Sequence, residues 1–150
     1  MANVDEMTRK DWMSLLAKAP EGVLGQLWAA LGIEVGHEWL RPPEAGAVML
    51  RGRAGGTGAP FNLGEMTVTR CALRLDSDQV GHAYVAGCSH EKARIAALCD
   101  ALMQDDTRAA AVRERVLAPL AAAAAAARET LAAKAAATRV EFFTVARERA

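Results

Sequence analysis

At 150 residues and zero formal net charge, the chain is sized for one domain with its own core, and no attraction to nucleic acid or anionic membrane through net charge is expected. Hydrophobic residues make up 52% and charged residues 24%, an ordinary soluble profile. Cys71, Cys88 and Cys99 are odd in number, widely spaced and free of any Cys-x-x-Cys pair. They read as reduced thiols in a reducing compartment rather than as a redox or metal site.

The start, Met-Ala-Asn-Val-Asp-Glu, is acidic and lacks the basic and apolar segments of a signal peptide. A cytoplasmic protein is expected. Thr8 is placed to cap a first helix through Ala19, whose apolar positions Trp12, Leu15, Leu16 and Ala19 follow helical spacing. Pro20 ends it and opens a second, which carries Val23, Leu24, Leu27, Trp28 and Leu31 and stops at Gly32. The two are expected to form an antiparallel pair.

From Glu34 to Ala86 the period drops to two. Val35 to Arg41, Ala47 to Arg53, Met66 to Leu75 and Val80 to Ala86 read as four strands. Pro42-Pro43-Glu44-Ala45-Gly46 is expected to turn between the first two, and Asp76-Ser77-Asp78 between the last two. Short links favour an antiparallel meander, and the one long link carries the glycines.

Ser89 caps a third helix with the apolar stripe Ile95, Leu98, Leu102 and Met103. Asp105-Asp106-Thr107 restarts the chain into an alanine-dominated helix. Pro119 predicts a kink or fresh start there, before the helix resumes through Ala121–Ala127 to about Thr138. The run of alanine is too weakly hydrophobic, and too soon followed by Arg128, Glu129 and Lys134, to anchor in a bilayer, where a span needs ~20 apolar residues. The predicted class is α+β: a four-stranded antiparallel sheet with an N-terminal helix pair and C-terminal helices packed on it.

The passage from Arg53 to Arg70 is the richest in candidate contacts. Gly55, Gly56, Thr57 and Gly58 sit between two strands. No Lys-Ser or Lys-Thr follows, so this is not a P-loop, and no helix follows, so it is not a dinucleotide fingerprint. It reads either as a hairpin loop that needs unusual torsions or as a contact with a ligand or partner chain.

On strand alternation Arg51 and Arg53 share a face, and so do Arg70 and Arg74. Four guanidiniums on a sheet face could hold a triphosphate, since Arg pairs bidentately with phosphate oxygens. The plainer reading is a solvated face, or one paired to Glu38, Glu65 or a neighbouring subunit. His82, Cys88 and His90 fit no usual zinc spacing, and no metal site is expected. His37 is alone. No nucleophile elbow, His-Glu-x-x-His or other catalytic constellation occurs, so no catalytic residue is assigned.

The alanine helix is a stiff strut or a flat, close-approach interface. Phe142 and Phe143, flanked by Arg139 and Arg147, read as an aromatic–arginine anchor for another subunit or as closure of the domain's own core.

An ordered set of segments resembles the PhnG family of the bacterial carbon–phosphorus lyase system. It begins at Thr8-Arg9-Lys10-Asp11-Trp12 and is strongest in Gly55-Gly56-Thr57-Gly58-x-x-Phe61 and Gly64-Glu65-Met66-Thr67-Val68-Thr69-Arg70. It continues through Val80-Gly81-His82-Ala83-Tyr84-Val85 and Ala97-Leu98-Cys99-Asp100-Ala101-Leu102-Met103-Gln104, and closes with Ala118-Pro119-Leu120 and Arg139-Val140-Glu141-Phe142-Phe143. The poly-alanine run between Pro119 and Arg139 departs from the family pattern.

The resemblance implies a required, noncatalytic subunit of a hetero-oligomer with PhnH, PhnI and PhnJ, to which the ATP-binding-cassette protein PhnK attaches. The PhnG, PhnH, PhnI and PhnL group would displace adenine from ATP with an alkylphosphonate, giving ribose 1-phosphonate 5-triphosphate. It implies no cofactor bound by this chain. ATP is used by the complex, while PhnJ carries the iron–sulfur cluster that works with S-adenosylmethionine. An alternative from another class is a nucleotide-binding module in which Arg51, Arg53, Arg70 and Arg74 grip the triphosphate directly.

Overall fold

The computed structural model describes residues 4–140. After a short 3₁₀ turn at Val4–Glu6 come helices α1 (Arg9–Lys18) and α2 (Glu21–Leu31), then strands β1 (His37–Arg53), β2 (Pro60–Leu75) and β3 (Val80–Ala86). Helices α3 (His90–Leu102), α4 (Asp106–Val112) and α5 (Ala118–Ala137) follow.

The α+β class holds, but the sheet has three strands in the order β1-β2-β3, all antiparallel. The expected first two strands are one continuous β1 that passes straight through Pro42-Pro43. A proline pair reads as a turn, yet on an edge strand its missing N–H costs no ladder bond. Register shifts between Trp39 and Arg41 and between Arg41 and Glu44 absorb the two rings. β2 also begins earlier than its alternation suggested, at Pro60, so the glycine link is the short loop Ala54–Ala59.

The helix starts and stops follow their residue chemistry. At α1 the Thr8 N–H donates to Asp11 Oδ2 at 3.0 Å, and at α3 the Lys92 N–H donates to Ser89 Oγ at 3.1 Å. Gly32 ends α2 in the left-handed region at φ 65°. Asp78 takes φ 71° in the turn between β2 and β3, a conformation that Asp tolerates better than most residues.

The expected antiparallel α1–α2 pair is not the packing observed. Each of these helices packs on α3, and α1 also on β3; the two residues that join them, Ala19 and Pro20, are both extended, with ψ 139° and 134°. At Pro119 the expected fresh start is seen as α5, which opens at Ala118 with the proline in its first turn, without the chain leaving the helical path. The run Asp106–Ala137 is helical throughout, with a π-helical stretch at Arg113–Leu117 that ends two residues before Pro119. Widening the turn there accommodates the ring and the absent donor.

By length and mean hydropathy, Asp106–Ala137 is a helix apolar enough to cross a membrane. Its buried side chains, Ala109, Val112, Val116, Leu117 and Leu120, join the protein core, and alanine supplies most of the remaining hydropathy.

The core lies between the sheet and α3. β2 contributes Cys71, Leu73 and Leu75, β3 contributes Ala83 and Val85, and α3 presents Ile95, Leu98 and Leu102. Burying each large side chain here is worth about 1.5–3 kcal/mol. Close approach of α3 to β3 requires Gly81. A Cβ there would run into the Ala97 carbonyl and stand 2.9 Å from Ala101 Cβ.

Candidate functional site

Two surfaces stand out once the core is accounted for: the sheet face turned away from the helices, and the ribbon in which β1 and β2 run on beyond β3. Alternation assigns the first. Along β2, Thr69, Cys71, Leu73 and Leu75 are buried, while Arg70 and Arg74 are exposed on the outward side. β3 pairs Tyr84 with Arg70 and His82 with Ala72, so Tyr84 and His82 join that outward face. β1 brings Glu44 opposite Arg70 and Glu38 opposite Arg74.

The outward guanidiniums are paired. Arg70 Nε donates to Glu44 Oε1 at 2.6 Å, and Arg41 Nη1 donates to the same oxygen at 2.8 Å. The Arg70 hydrogen bond, with Arg41 in support, holds the Glu44 carboxyl below its ordinary pKa. Arg74 lies 3.4 Å from Glu38.

Arg51 and Arg53 are elsewhere. Arg51 pairs with Asn62 and Arg53 with Pro60, in the alternation set opposite to that of Arg70 and Arg74. The seven residues from Glu44, the partner of Arg70, to Arg51 span roughly 23 Å at a strand rise near 3.3 Å per residue. The sheet therefore gathers the arginines into two pairs, on opposite faces and far apart, and no one triphosphate bridges all four. Arg53 Nη1 donates to the Gly58 carbonyl at 3.0 Å, bracing the loop at the ribbon's tip. In that loop Gly55 and Gly56 take φ 60° and 79°, the torsions for which glycine is needed. The Gly58 N–H closes the turn onto the Ala54 carbonyl at 3.0 Å, and Thr57 is exposed beside it.

The ribbon has one apolar face. Val48 pairs with Met66 and Leu50 with Gly64. A Cβ on Gly52 would meet Leu63 at 3.8 Å and the Phe61 ring at 4.0 Å, so these side chains lie on the same side. Leu63 is 66% exposed, and Leu50, Phe61 and Met66 are also bare. An apolar strip of this kind, away from the core, marks a surface made for contact.

Sequence reasoning missed the most saturated polar cluster among the described residues. Asp100, fully buried on α3, accepts four hydrogen bonds. Oδ1 takes Arg9 Nε at 3.1 Å and Trp12 Nε1 at 2.9 Å; Oδ2 takes Arg9 Nη2 at 2.7 Å and the His82 N–H at 3.0 Å. It binds α1, α3 and β3 together, and every acceptor direction is used, which leaves it no role as a base. The available signal was a carboxylate set among Ala97, Leu98, Cys99, Ala101 and Leu102 in the apolar second half of α3.

Lys92, 7% exposed, donates from Nζ to the Ala17 carbonyl at 2.9 Å at the end of α1. Burial pulls its pKa down, against the nearby Glu21. Both are struts. Among the described residues, no three His, Cys, Asp or Glu side chains come together as a metal would require, and His82, His90 and Cys88 are exposed.

The alanine helix leaves the core early. Leu120 is the buried residue of α5, and the alanines beyond it are largely uncovered. A groove of about 690 Å³ runs between the start of this helix and α1, lined by Leu15, Val23 and the alanine side chains. Arg139 is exposed past the helix end. Phe142 and Phe143 lie outside the described residues.

Comparison with known proteins matches residues 7–148 to the model of "Phosphonate metabolism protein PhnG". The chain is also 43% identical over 139 residues to the "Alpha-D-ribose 1-methylphosphonate 5-triphosphate synthase subunit PhnG" of Rhizobium meliloti (strain 1021), covering 93% of this chain and 88% of that protein.

Proposed function

The chain belongs to the PhnG family of phosphonate metabolism proteins, and from that premise we propose that it is a required, noncatalytic subunit of a phosphonate ribosyl-triphosphate synthase. The complex displaces adenine from ATP with an alkylphosphonate and yields α-D-ribose 1-phosphonate 5-triphosphate. In this reading the protein works in the cytoplasm beside PhnI, PhnH and PhnL, with PhnJ and PhnK in the larger assembly. The chain holds no cofactor. Iron–sulfur and S-adenosylmethionine chemistry belong to PhnJ.

The observation that carries the reading is the relative named as a synthase subunit, 43% identical along nearly the whole chain. The physical chemistry supports it. The buried carboxylate is consumed by four donors, the outward arginines are already paired, and the ribbon exposes an apolar face. Those are the features of a protein that shapes another's reaction centre.

Co-expression with the other synthase subunits followed by sizing tests it: the chain should elute with them. Calorimetry with ATP on the lone chain should give no binding heat. Failure to co-elute, or tight ATP binding by the lone chain, overturns the reading, the second in favour of a nucleotide module.

A further inference from the structure

Over Val68–Arg74 strand β2 has a neighbour on each side, whereas over Pro60–Thr67 it is paired, among the described residues, to β1 alone. β3 ends at Ala86, and the next amide, that of Gly87, donates to the Thr67 carbonyl at 2.9 Å. The chain then turns away into α3. Thr67 therefore points its carbonyl into the lane that β3 occupied, and the two-residue period of a strand turns the amide and carbonyl of Glu65 the same way. Among the described residues, the lane beside Phe61–Met66, in line with β3, is bordered by backbone donors and acceptors without a partner. Its floor is the apolar face of Leu50, Leu63 and Met66.

Natural sheets blunt such edges. This sheet does so lower down, where β1 carries Pro42 and Pro43, but the β2 edge carries no proline between Phe61 and Leu75.

We infer that this vacant lane is a docking slot that receives one extended segment of a different polypeptide, which extends the sheet as a third strand of the ribbon. This rests on the subunit reading above and names the surface through which that reading would operate. The occupant has a stated chemistry. Alternate residues are apolar, to cover Leu63 and Met66, and an acidic group comes near the tip. Arg51 calls for that group on the face opposite the apolar floor, across Asn62 of β2: unlike Arg41, Arg70 and Arg74, it has no ion-pair partner among the described residues. A second copy fits less well. From Gly46 to Thr67 the ribbon carries Arg51 and Arg53 against Glu65 alone, so another copy brings an excess of the same sign. Main-chain bonds would give the affinity and the apolar face the register, as in other strand additions.

The test uses the full chain, alone and co-expressed with the remaining synthase subunits. Amide exchange of peptides covering Phe61–Met66 should slow about tenfold or more on assembly. Glu65→Pro removes a donor that faces the lane and not β1, and Leu63→Asp charges its floor. Each should weaken assembly by at least about tenfold while leaving the melting temperature of the lone chain unchanged. Glu65→Gln keeps the amide and should assemble like the parent.

Unchanged exchange, or normal assembly of both disruptive variants, overturns the inference. So does equal damage from Glu65→Gln, which would assign the contact to the side chain. A lone chain that dimerises and is made monomeric by Leu63→Asp assigns the slot to a second copy and also overturns it. If parent chain and partners never co-elute, it is the subunit reading that fails. If they do and the ribbon variants behave as the parent, only the slot fails.

Discussion

At its base the sheet has β2 flanked by two strands and backed by α3, whose buried Asp100 has every acceptor position filled. At its tip the same strand has one neighbour, no helix behind it and bare leucine and phenylalanine side chains. A two-stranded ribbon is marginal in water by itself, so the tip borrows its register from the base. The contrast shows how one continuous strand can serve two purposes: where burial is complete it specifies the fold, and where burial is missing it offers a surface. Stability belongs to the base and association to the tip.

The strongest way to break that division is at Asp100. Asp100→Ala strands the Trp12 and His82 donors and frees Arg9, and should cost roughly 3 kcal/mol in urea unfolding. A loss under about 1 kcal/mol would mean that the cluster does not bind α1 to the sheet. Gly81→Ala comes next. With the Ala97 carbonyl in the way, α3 must move off β3, for a loss of about 1–3 kcal/mol. An unchanged melting temperature would contradict the close approach.

Alkaline pH probes the same base more gently. Burial pushes the Cys71 thiol up to about 11, and burial with the neighbouring Asp100 pushes Cys99 to about 12. The unfolded chain therefore releases these protons first. Stability should be intact below the ordinary thiol value of 9.0 and decline as pH rises from there towards about 11. In the folded protein a thiol reagent at pH 8 should label exposed Cys88 and spare buried Cys71 and Cys99. Equal labelling of all three, or a flat alkaline profile, would say that the base is looser than described.

The smallest stability effect belongs to the tip. Leu63→Ser should shift unfolding by no more than about 0.5 kcal/mol, since the side chain packs on nothing central. A larger loss would make the ribbon part of the core and erase the comparison.

Legibility in the sequence followed the same line. Thr8, Ser89, Gly32 and Asp76-Ser77-Asp78 act locally, through caps and turns, and each does what its chemistry indicated. The glycine loop lies between two strands, as its flanking alternation required. What failed depended on neighbours. Pro42-Pro43 stops a strand unless that strand is an edge, and whether it is an edge lies outside the local pattern. Alternation indicated which arginines share a face within each strand. Only the pairing register shows that Arg51 and Arg53 stand opposite and remote from Arg70 and Arg74. Asp100 carries no local signal of its role because its partners, Arg9, Trp12 and His82, lie up to 91 residues away.

The central claim is that this chain gives shape to a reaction and no reacting group of its own. Adenine release from ATP and methylphosphonate measures it directly, with three samples: the chain alone, the other synthase subunits without it, and the two recombined. The account predicts background release from the first two and full release from the third. Release by the solitary chain, or undiminished release in its absence, would contradict it.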